Sequence, residues 1–323
     1  MKHWKSRGAL AWLLWPISLL FRLAVGVRRI LYKVRALPSA HPGIPVIVVG
    51  NVVAGGSGKT PLVLWIAEHL KRKGWTPAIV SRGYGARIAG PRAATIADDA
   101  AEVGDEPILL SRRSGCPVWV GADRIAVSRA LRDAHPDVDV LLLDDGLQHY
   151  ALRRDVEIAV VGSFGNGFMF PAGPLREPVS RLRSVDAIVA HGAAIKGHAM
   201  KLEGDTLHRM TDAADRQAAS AFAGQKVHAV AGIGEPNRFF LHLTRLGLKV
   251  VPHPFPDHHP FAPRDLEFGD DAPVLMTEKD AVKLRRAARA NWWVLPVTAQ
   301  LDPAFGDWLS GRLDGFRRRS KAA

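Results

Sequence analysis

A lysine and a threonine placed behind a run of glycines are the first residues in this chain whose types and spacing could do chemistry. The stretch GNVVAGGSGKTP (50–61) follows the apolar run IPVIVVG. A loop of Gly55, Gly56, Ser57 and Gly58 between a buried strand and a helix start offers successive backbone N–H groups to an anion, and the helix dipole adds positive potential. Phosphate suits such a loop. Lys59 would reach the β- and γ-phosphates of a nucleotide, and the Thr60 hydroxyl would hold Mg²⁺. One position departs from the G-x-x-x-x-G-K-[ST] pattern: its first glycine is Val53 here.

In LLLDDGLQHY (141–150) an apolar strand delivers two adjacent carboxylates, Asp144 and Asp145, at its carboxyl end. A metal site beside a phosphate loop needs such groups. Successive strand residues point to opposite faces, so the two are expected to differ in role, one holding Mg²⁺ directly or through water. VGDEP (103–107) and FPDHHP (255–260) lie far apart in the chain. An Asp and a His converging from them would make a general-base pair, because a hydroxyl attacking phosphorus must lose its proton. A surface turn or a fortuitous metal site accounts equally well for two histidines between prolines. In FPAGPLREP (170–178), prolines and Gly173 fix a loop carrying Arg176, suited to phosphate, and Glu177, suited to Mg²⁺ or a hydroxyl. An exposed ion-pair loop is the plain alternative. TEKD (277–280) differs from the N-K-x-D guanine reader in the position of its lysine, so no preference for GTP follows.

Positioning these groups requires a scaffold, and the order of elements supplies one. After Pro45, short β-branched runs alternate with helical stretches, which is the pattern of a parallel sheet covered by helices. Strands are expected at 45–50, 76–81, 117–121, 139–145, 156–162 and 185–190, with helices at 60–73 and 122–133. Residues 196–225 are polar, alanine-rich and weakly periodic. A second α/β block follows, with a strand at 227–234, a helix at 236–246, apolar runs at 274–284 and 292–297, and a final helix near 302–313. The expected fold class is α/β: a P-loop NTPase-like parallel sheet flanked by helices, a smaller C-terminal α/β lobe, and a ligand cleft between them. The expected divisions are an N-terminal membrane-anchor helix (1–40), a nucleotide-binding lobe (41–222), a small lobe (223–313) and a basic tail (314–323).

Composition narrows the partners. With 323 residues, 47% hydrophobic and 23% charged, the chain is globular and can bury a large core. Its one cysteine, Cys116, can form no internal disulfide, so a reducing compartment and a buried thiol are expected. The net charge of +13 sits at the ends: residues 1–35 hold eight Lys/Arg and no acid, and residues 311–323 hold five against Asp314. Only +1 is left between, which does not describe a basic nucleic-acid-binding face. The N-terminal charges enclose ALAWLLWPISLLF (9–21). This run is shorter than the ~20 apolar residues of a spanning helix and contains Pro16, so an interfacial anchor with Trp12 or Trp15 near the headgroups is expected. Its positive flanks favour anionic lipid on the cytoplasmic leaflet. A span with Arg22 snorkelling and a helix buried against the main domain are the alternatives, and a cleaved signal peptide fits less well.

Taken together, GNVVAGGSGKTP, SRGYG, VGDEP, DDGLQHYALRRD, FPAGPLREP, FPDHHPF and MTEKDAVK, in this order, closely resemble the tetraacyldisaccharide 4'-kinase family of the lipid A pathway. The resemblance runs from the N-terminal anchor to about residue 297 and is specific as a set, although the loop by itself would not be. It implies a membrane-associated kinase that uses ATP and Mg²⁺ to phosphorylate the 4'-hydroxyl of an acylated glucosamine disaccharide 1-phosphate, giving lipid IVA. The enzyme would sit at the cytoplasmic face of a Gram-negative inner membrane. It also implies that Lys59 and Thr60 lie at the phosphate and Mg²⁺ positions, with Lys59 counted among the catalytic residues. Asp144, Asp145 and Glu177 fall around the metal, and Gln148, His149 and Arg176 in the substrate or phosphate surroundings. Asp105 and a FPDHHP histidine form the base pair, with His258 chosen over His259 because it follows Asp257 directly. The rival reading is a membrane-bound P-loop ATPase or GTPase switch without a lipid acceptor, which gives no reason for the Asp105 and FPDHHP pair. A nucleic-acid-associated NTPase is a weaker third.

Overall fold

The computed structural model describes residues 2–56, 58–86, 88–192 and 195–322. Ser57 therefore lies outside the described residues. Helix α1 (Ala9–Lys33) leads into a first α/β block of β1 (Val46–Gly50), α2 (Lys59–Arg72), β2 (Pro77–Ser81), β3 (Arg92–Ala93), α3 (Ala100–Val103) and α4 (Asp105–Ser114). It continues through β4 (Val118–Val120), α5 (Arg124–Ala134), β5 (Val140–Asp144), β6 (Val156–Val161), β7 (Ala187–His191) and β8 (His198–Glu203). The second block comprises β9 (Thr206–Arg209), β10 (Arg216–Ala218), β11 (Lys226–Ala231), α6 (Pro236–Arg245), β12 (Lys249–Pro254), β13 (Val274–Thr277), α7 (Glu278–Leu284) and β14 (Trp292–Leu295). The chain ends with β15 (Thr298–Leu301) and α8 (Pro303–Ala322).

Nine strands form one sheet in the order β15-β8-β7-β6-β1-β5-β2-β4-β3, and six form another in the order β10-β9-β14-β13-β11-β12. In the first sheet β4, β2, β5, β1, β6, β7 and β8 run parallel, so the loops after β1, β2 and β5 emerge on one edge. Every residue of β1, β2 and β5 is buried, because helices cover both faces and a strand so placed is apolar throughout. The phosphate loop, the SRGYG loop and the Asp144-Asp145 turn thus share the carboxyl edge, where α/β sheets hold ligands.

Sheet membership does not follow the expected division at residue 222. Strands β9 and β10, from the polar stretch, join the second sheet, whereas β15 returns to pair antiparallel with β8. Helix α8 then buries Phe305, Leu309 and Leu313 in the same core as α2. Its backbone stays helical to Ala322, so the helix runs on through the basic segment from residue 314. Strands β3, β8 and β12 carried no clear signal either. β12 reads KVVPHP, and its prolines are accommodated because it is the outermost strand of its sheet.

Helix α1 corrects another expectation. It runs unbroken for 25 residues through Pro16 and is long and apolar enough to cross a membrane. A proline forfeits one backbone bond, and packing offsets that loss. One stripe is docked on the first lobe: Ser18 Oγ donates to the Met169 carbonyl at 2.8 Å and accepts from Ala172 N–H at 3.1 Å, while Phe21 meets Phe170 edge-on at 5.6 Å. The opposite stripe, including Leu13, Leu20 and Leu23, is exposed.

Candidate active site

The structure accounts for Val53. Val53 bridges Leu175 antiparallel, Ala54 N–H donates to the Pro174 carbonyl at 2.8 Å, and Arg176 N–H donates to the Val52 carbonyl at 2.8 Å. The first part of the loop is thus held extended against the FPAGPLREP segment, where a β-branched residue fits. The turn comes later, at Gly55 (φ 110°) and at Gly58 (φ 87°), the residue that caps α2. Those left-handed values require glycine. Lys59 then extends from the first turn of α2 to within 3.4 Å of Asp145 Oδ1, with Thr60 beside it. The second lobe touches the loop through Gly234, where an added Cβ would run into Gly56 N and lie 3.1 Å from Gly56 Cα. A space of about 70 Å³ remains between the loop, Gly162, Ser163, Gly234 and Glu235.

The paired carboxylates diverge. Asp144 ends β5, whereas Asp145 has φ 52°, a conformation that aspartate tolerates and that turns its side chain toward Lys59 and Arg176 Nη1 (2.9 Å). Asp144 is 1% exposed; Ser81 Oγ donates to its Oδ2 at 3.3 Å, and its Oδ1 has no hydrogen-bond partner. Burial, then the charges of Glu106 and Asp145, push the Asp144 carboxyl well above the usual carboxylate range. Burial acts the same way on Asp145, but Lys59 and Arg176 outweigh it and hold that carboxyl below the range.

Glu177 is not placed as expected. It is fully buried: Gln148 Nε2 donates to Oε1 at 2.8 Å, the Tyr150 hydroxyl donates to Oε2, and Arg181 Nε lies 3.4 Å from Oε2. Both oxygens are engaged inside the protein, so the metal-ligand expectation for Glu177 is corrected to a bracing one. Gln148 also donates to the Asn51 carbonyl at 2.9 Å and ties this network to the phosphate loop. His149 lines a different groove, beside Tyr32 and Asp123.

Asp105 is the first residue of α4, and His258 stands in the loop after β12. They meet across the two lobes: His258 Nδ1 is 3.1 Å from each Asp105 oxygen, and Lys283 Nζ is 3.2 Å from Oδ2. Burial opposes ionisation of Asp105, yet the His258 bond with the Lys279 and Lys283 charges brings it to about 2. Burial likewise opposes charge on His258, and the Asp105 bond and charge raise it above the ordinary histidine value. The network assigns the proton to Nδ1 and leaves Nε2 as acceptor, 3.3 Å from Lys279 Nζ. Lys279 also reaches Glu106 (3.0 Å) and Asp257 (3.1 Å). His259 is engaged elsewhere, 3.1 Å from Asp265 Oδ2 and packed between Phe255 and Phe261.

A family model described as tetraacyldisaccharide-1-P 4'-kinase matches residues 10–314. The chain belongs to that family. It is 49% identical over 98% of its length to a tetraacyldisaccharide 4'-kinase from Azoarcus sp. (strain BH72), covering 95% of that protein. It is 51% identical to the Aromatoleum aromaticum enzyme of the same name, with 92% of each chain covered. A crystal structure of LpxK from Aquifex aeolicus in complex with ATP superposes with a TM-score of 0.79 at 29% identity, covering 94% of this chain and 99% of that one. That likeness bears out the α/β fold, its parallel sheet and its N-terminal apolar helix.

Several residues of this family member's site were not singled out from its sequence. Lys279 and Lys283 hold Asp105, Glu106 and Asp257. Their spacing of four on one helix was a legible signal for a shared face. Tyr150 and Arg181, which enclose Glu177, carried none, because their role depends on burial.

Proposed function

We infer that the chain transfers the γ-phosphate of ATP to the 4'-hydroxyl of tetraacyldisaccharide 1-phosphate, forming lipid IVA in lipid A biosynthesis. The observation that carries the reading is the Asp105–His258 pair, joined at 3.1 Å beside a phosphate loop. A nucleotide switch has no use for a base directed at an acceptor. Lys59 and the loop amides of Gly55, Gly56 and Gly58 would bind the phosphates, with Arg176 steered by Asp145 toward the same charge. His258 Nε2 would take the acceptor proton while Asp105 holds the Nδ1–H, and the acceptor hydroxyl has to displace Lys279 from Nε2.

Mg²⁺ suits the donors present. The buried Asp144 Oδ1 lacks a hydrogen-bond partner, and Thr60 opens α2. Mg²⁺ is commonly bound by one or two carboxylates together with substrate phosphates. Asp144 and Thr60 would hold it, with Asp145 nearby, and the ion would neutralise phosphate charge.

An acceptor with four acyl chains resists leaving the bilayer, at about 0.8 kcal/mol per buried CH₂, so the enzyme must work at the membrane. The exposed stripe of α1 and the eight flanking cations support anchoring on anionic lipid at the cytoplasmic leaflet. The test is transfer of ³²P from γ-labelled ATP, with Mg²⁺ and detergent, onto the purified acceptor beside a water-only control. Label on the lipid is the expected result; label appearing only as free phosphate would overturn the kinase reading.

A further inference from the structure

We propose that the N-terminal region sets the phosphate loop for ATP, with Asn166 and Ser18 as its positioning residues. This rests on the loop around Lys59 being the ATP site. Asn166 is 6% exposed, and every polar atom of its side chain is engaged. Its Nδ2 donates to the carbonyls of His3 (3.0 Å) and Ala172 (2.9 Å), with the Ser6 carbonyl at 3.4 Å, and its Oδ1 accepts from Phe168 N–H at 3.0 Å. Its backbone N–H donates to the Trp4 carbonyl at 2.8 Å, and its carbonyl accepts from Arg7 Nε at 2.9 Å. Trp4 Nε1 in turn donates to the Pro171 carbonyl at 3.1 Å. Residues 3–7, ahead of α1, therefore form a strap across the loop 165–175.

The strap lies close against that loop. A Cβ on Gly173 would collide with Asn166 Oδ1, and one on Gly165 would lie 2.6 Å from the Trp4 carbonyl. A buried amide whose partners are main-chain carbonyls of two separate segments fixes one segment on the other, because moving either leaves polar groups unpaired. Ser18, 3% exposed, holds the same loop from within α1 through the Met169 carbonyl and the Ala172 N–H. Ala172 is thus gripped at both ends, its N–H by Ser18 and its carbonyl by Asn166.

The other side of the loop carries the phosphate site. Two residues beyond Ala172, the Pro174 carbonyl accepts from Ala54 N–H at 2.8 Å, and Leu175 bridges Val53. Gly55 and Gly56 follow at once, and Asn51 Nδ2 donates to the Gly55 carbonyl at 3.3 Å. Ser163, three residues before Asn166, lines the space beside these glycines. Backbone amides bind phosphate best when they are in place before the nucleotide arrives, since a loop that must be ordered on binding costs affinity. Neither Asn166 nor Ser18 belongs to the exposed apolar stripe of α1, so their effect on ATP is separable from contact with lipid.

The test uses the full chain in neutral detergent: wild type, Ser18→Ala, Asn166→Ala and the double variant. ATP affinity is titrated, KM is measured for ATP and for the acceptor, and hydrogen exchange is followed over residues 51–56. Each single variant should weaken ATP binding by roughly 10-fold and raise the KM for ATP alike, with the acceptor KM unchanged and faster exchange at the Ala54 amide. Because both residues act through Ala172, the double variant should lose less than the product of the two single losses. Ser18→Ala removes one oxygen with little change of shape, so it decides the matter even if Asn166→Ala does not fold. Lower thermal stability with wild-type ATP affinity in the folded variants would overturn the proposal, and so would an equal rise of both KM values. ATP binding that responds to Lys59→Ala but not to Ser18→Ala or Asn166→Ala overturns the strap alone. ATP binding indifferent to Lys59→Ala overturns the phosphate-loop reading and the strap with it.

Discussion

Replacing Asp105 by Asn keeps the size of the side chain and removes its charge, so it tests the base pair with little change of shape. In the native protein Asp105 is 4% exposed and ionises at about 2, against 3.8 for an ordinary aspartate. That difference corresponds to about 2.4 kcal/mol in favour of the charged, folded form. Because the folded value is depressed, this stabilisation is present above pH ~4 and is lost as the pH falls toward 2. At neutral pH the variant should therefore be less stable by about 2 kcal/mol, and its stability should lose this part of its acid dependence. The catalytic consequence has its own signature. Without the Asp105 charge, burial and Lys279 dominate at His258, whose ionisation falls from above the ordinary histidine value to below it. Since the base must be neutral, the acid limb of the pH–rate profile should move to lower pH. The plateau kcat should fall by roughly 10²–10⁴, the range for a positioned base, with ATP affinity unchanged. The assays are denaturant unfolding, a kcat profile from pH 5 to 9, and nucleotide titration. An unmoved acid limb, or a loss of ATP affinity matching the loss of kcat, would refute the pairing of Asp105 with His258 as the base.

Lys59→Ala should weaken ATP binding by roughly 10- to 100-fold, the worth of a charge-assisted bond, and titration showing unchanged affinity would remove Lys59 from the phosphate site. Glu177→Gln should destabilise the fold by about 3 kcal/mol, because Arg181 loses one of its buried carboxylates, without altering the Mg²⁺ dependence of residual activity; a raised Mg²⁺ requirement would return Glu177 to the metal. Gly234→Ala, whose methyl would meet Gly56 of the phosphate loop, should lower ATP affinity with little loss of thermal stability, and wild-type affinity would show that this contact does not shape the site. Replacing Leu13, Leu20 and Leu23 together by Ser should weaken vesicle binding in flotation assays by at least about 1.5 kcal/mol per side chain, and undiminished flotation would move the anchor away from the exposed stripe of α1.

The parallel sheet, the phosphate loop with Lys59 and Thr60, and the carboxylates at the end of β5 were legible in the sequence, because each is written in adjacent residues. A strand buried on both faces must be apolar throughout, and a loop that wraps an anion must be glycine-rich ahead of its lysine. Strand alternation led to the expectation that Asp144 and Asp145 point apart; in the structure Asp145 lies past the end of β5, and its φ of 52° turns it toward Lys59 and Arg176. The N-terminal apolar helix was legible as an apolar run between positive charges; that Pro16 leaves α1 unbroken was decided by what the helix packs against. Tertiary structure also decided the rest. Val53 fits because Leu175 is across from it, and β12 is a strand because the sheet ends there and leaves its prolines unopposed. The return of β15 and α8 to the first sheet depends on a long-range pairing that the polar residues 196–225 do not announce. Asp105 found His258, while His259 turned to Asp265. Glu177 stands among ligand-like neighbours in the sequence and is nevertheless sealed between Gln148, Tyr150 and Arg181. Residue type and spacing specify which chemistry a side chain is capable of, but burial and the partner that reaches it from another part of the chain are properties of the packed topology, and these determine which of the capable groups face the reaction.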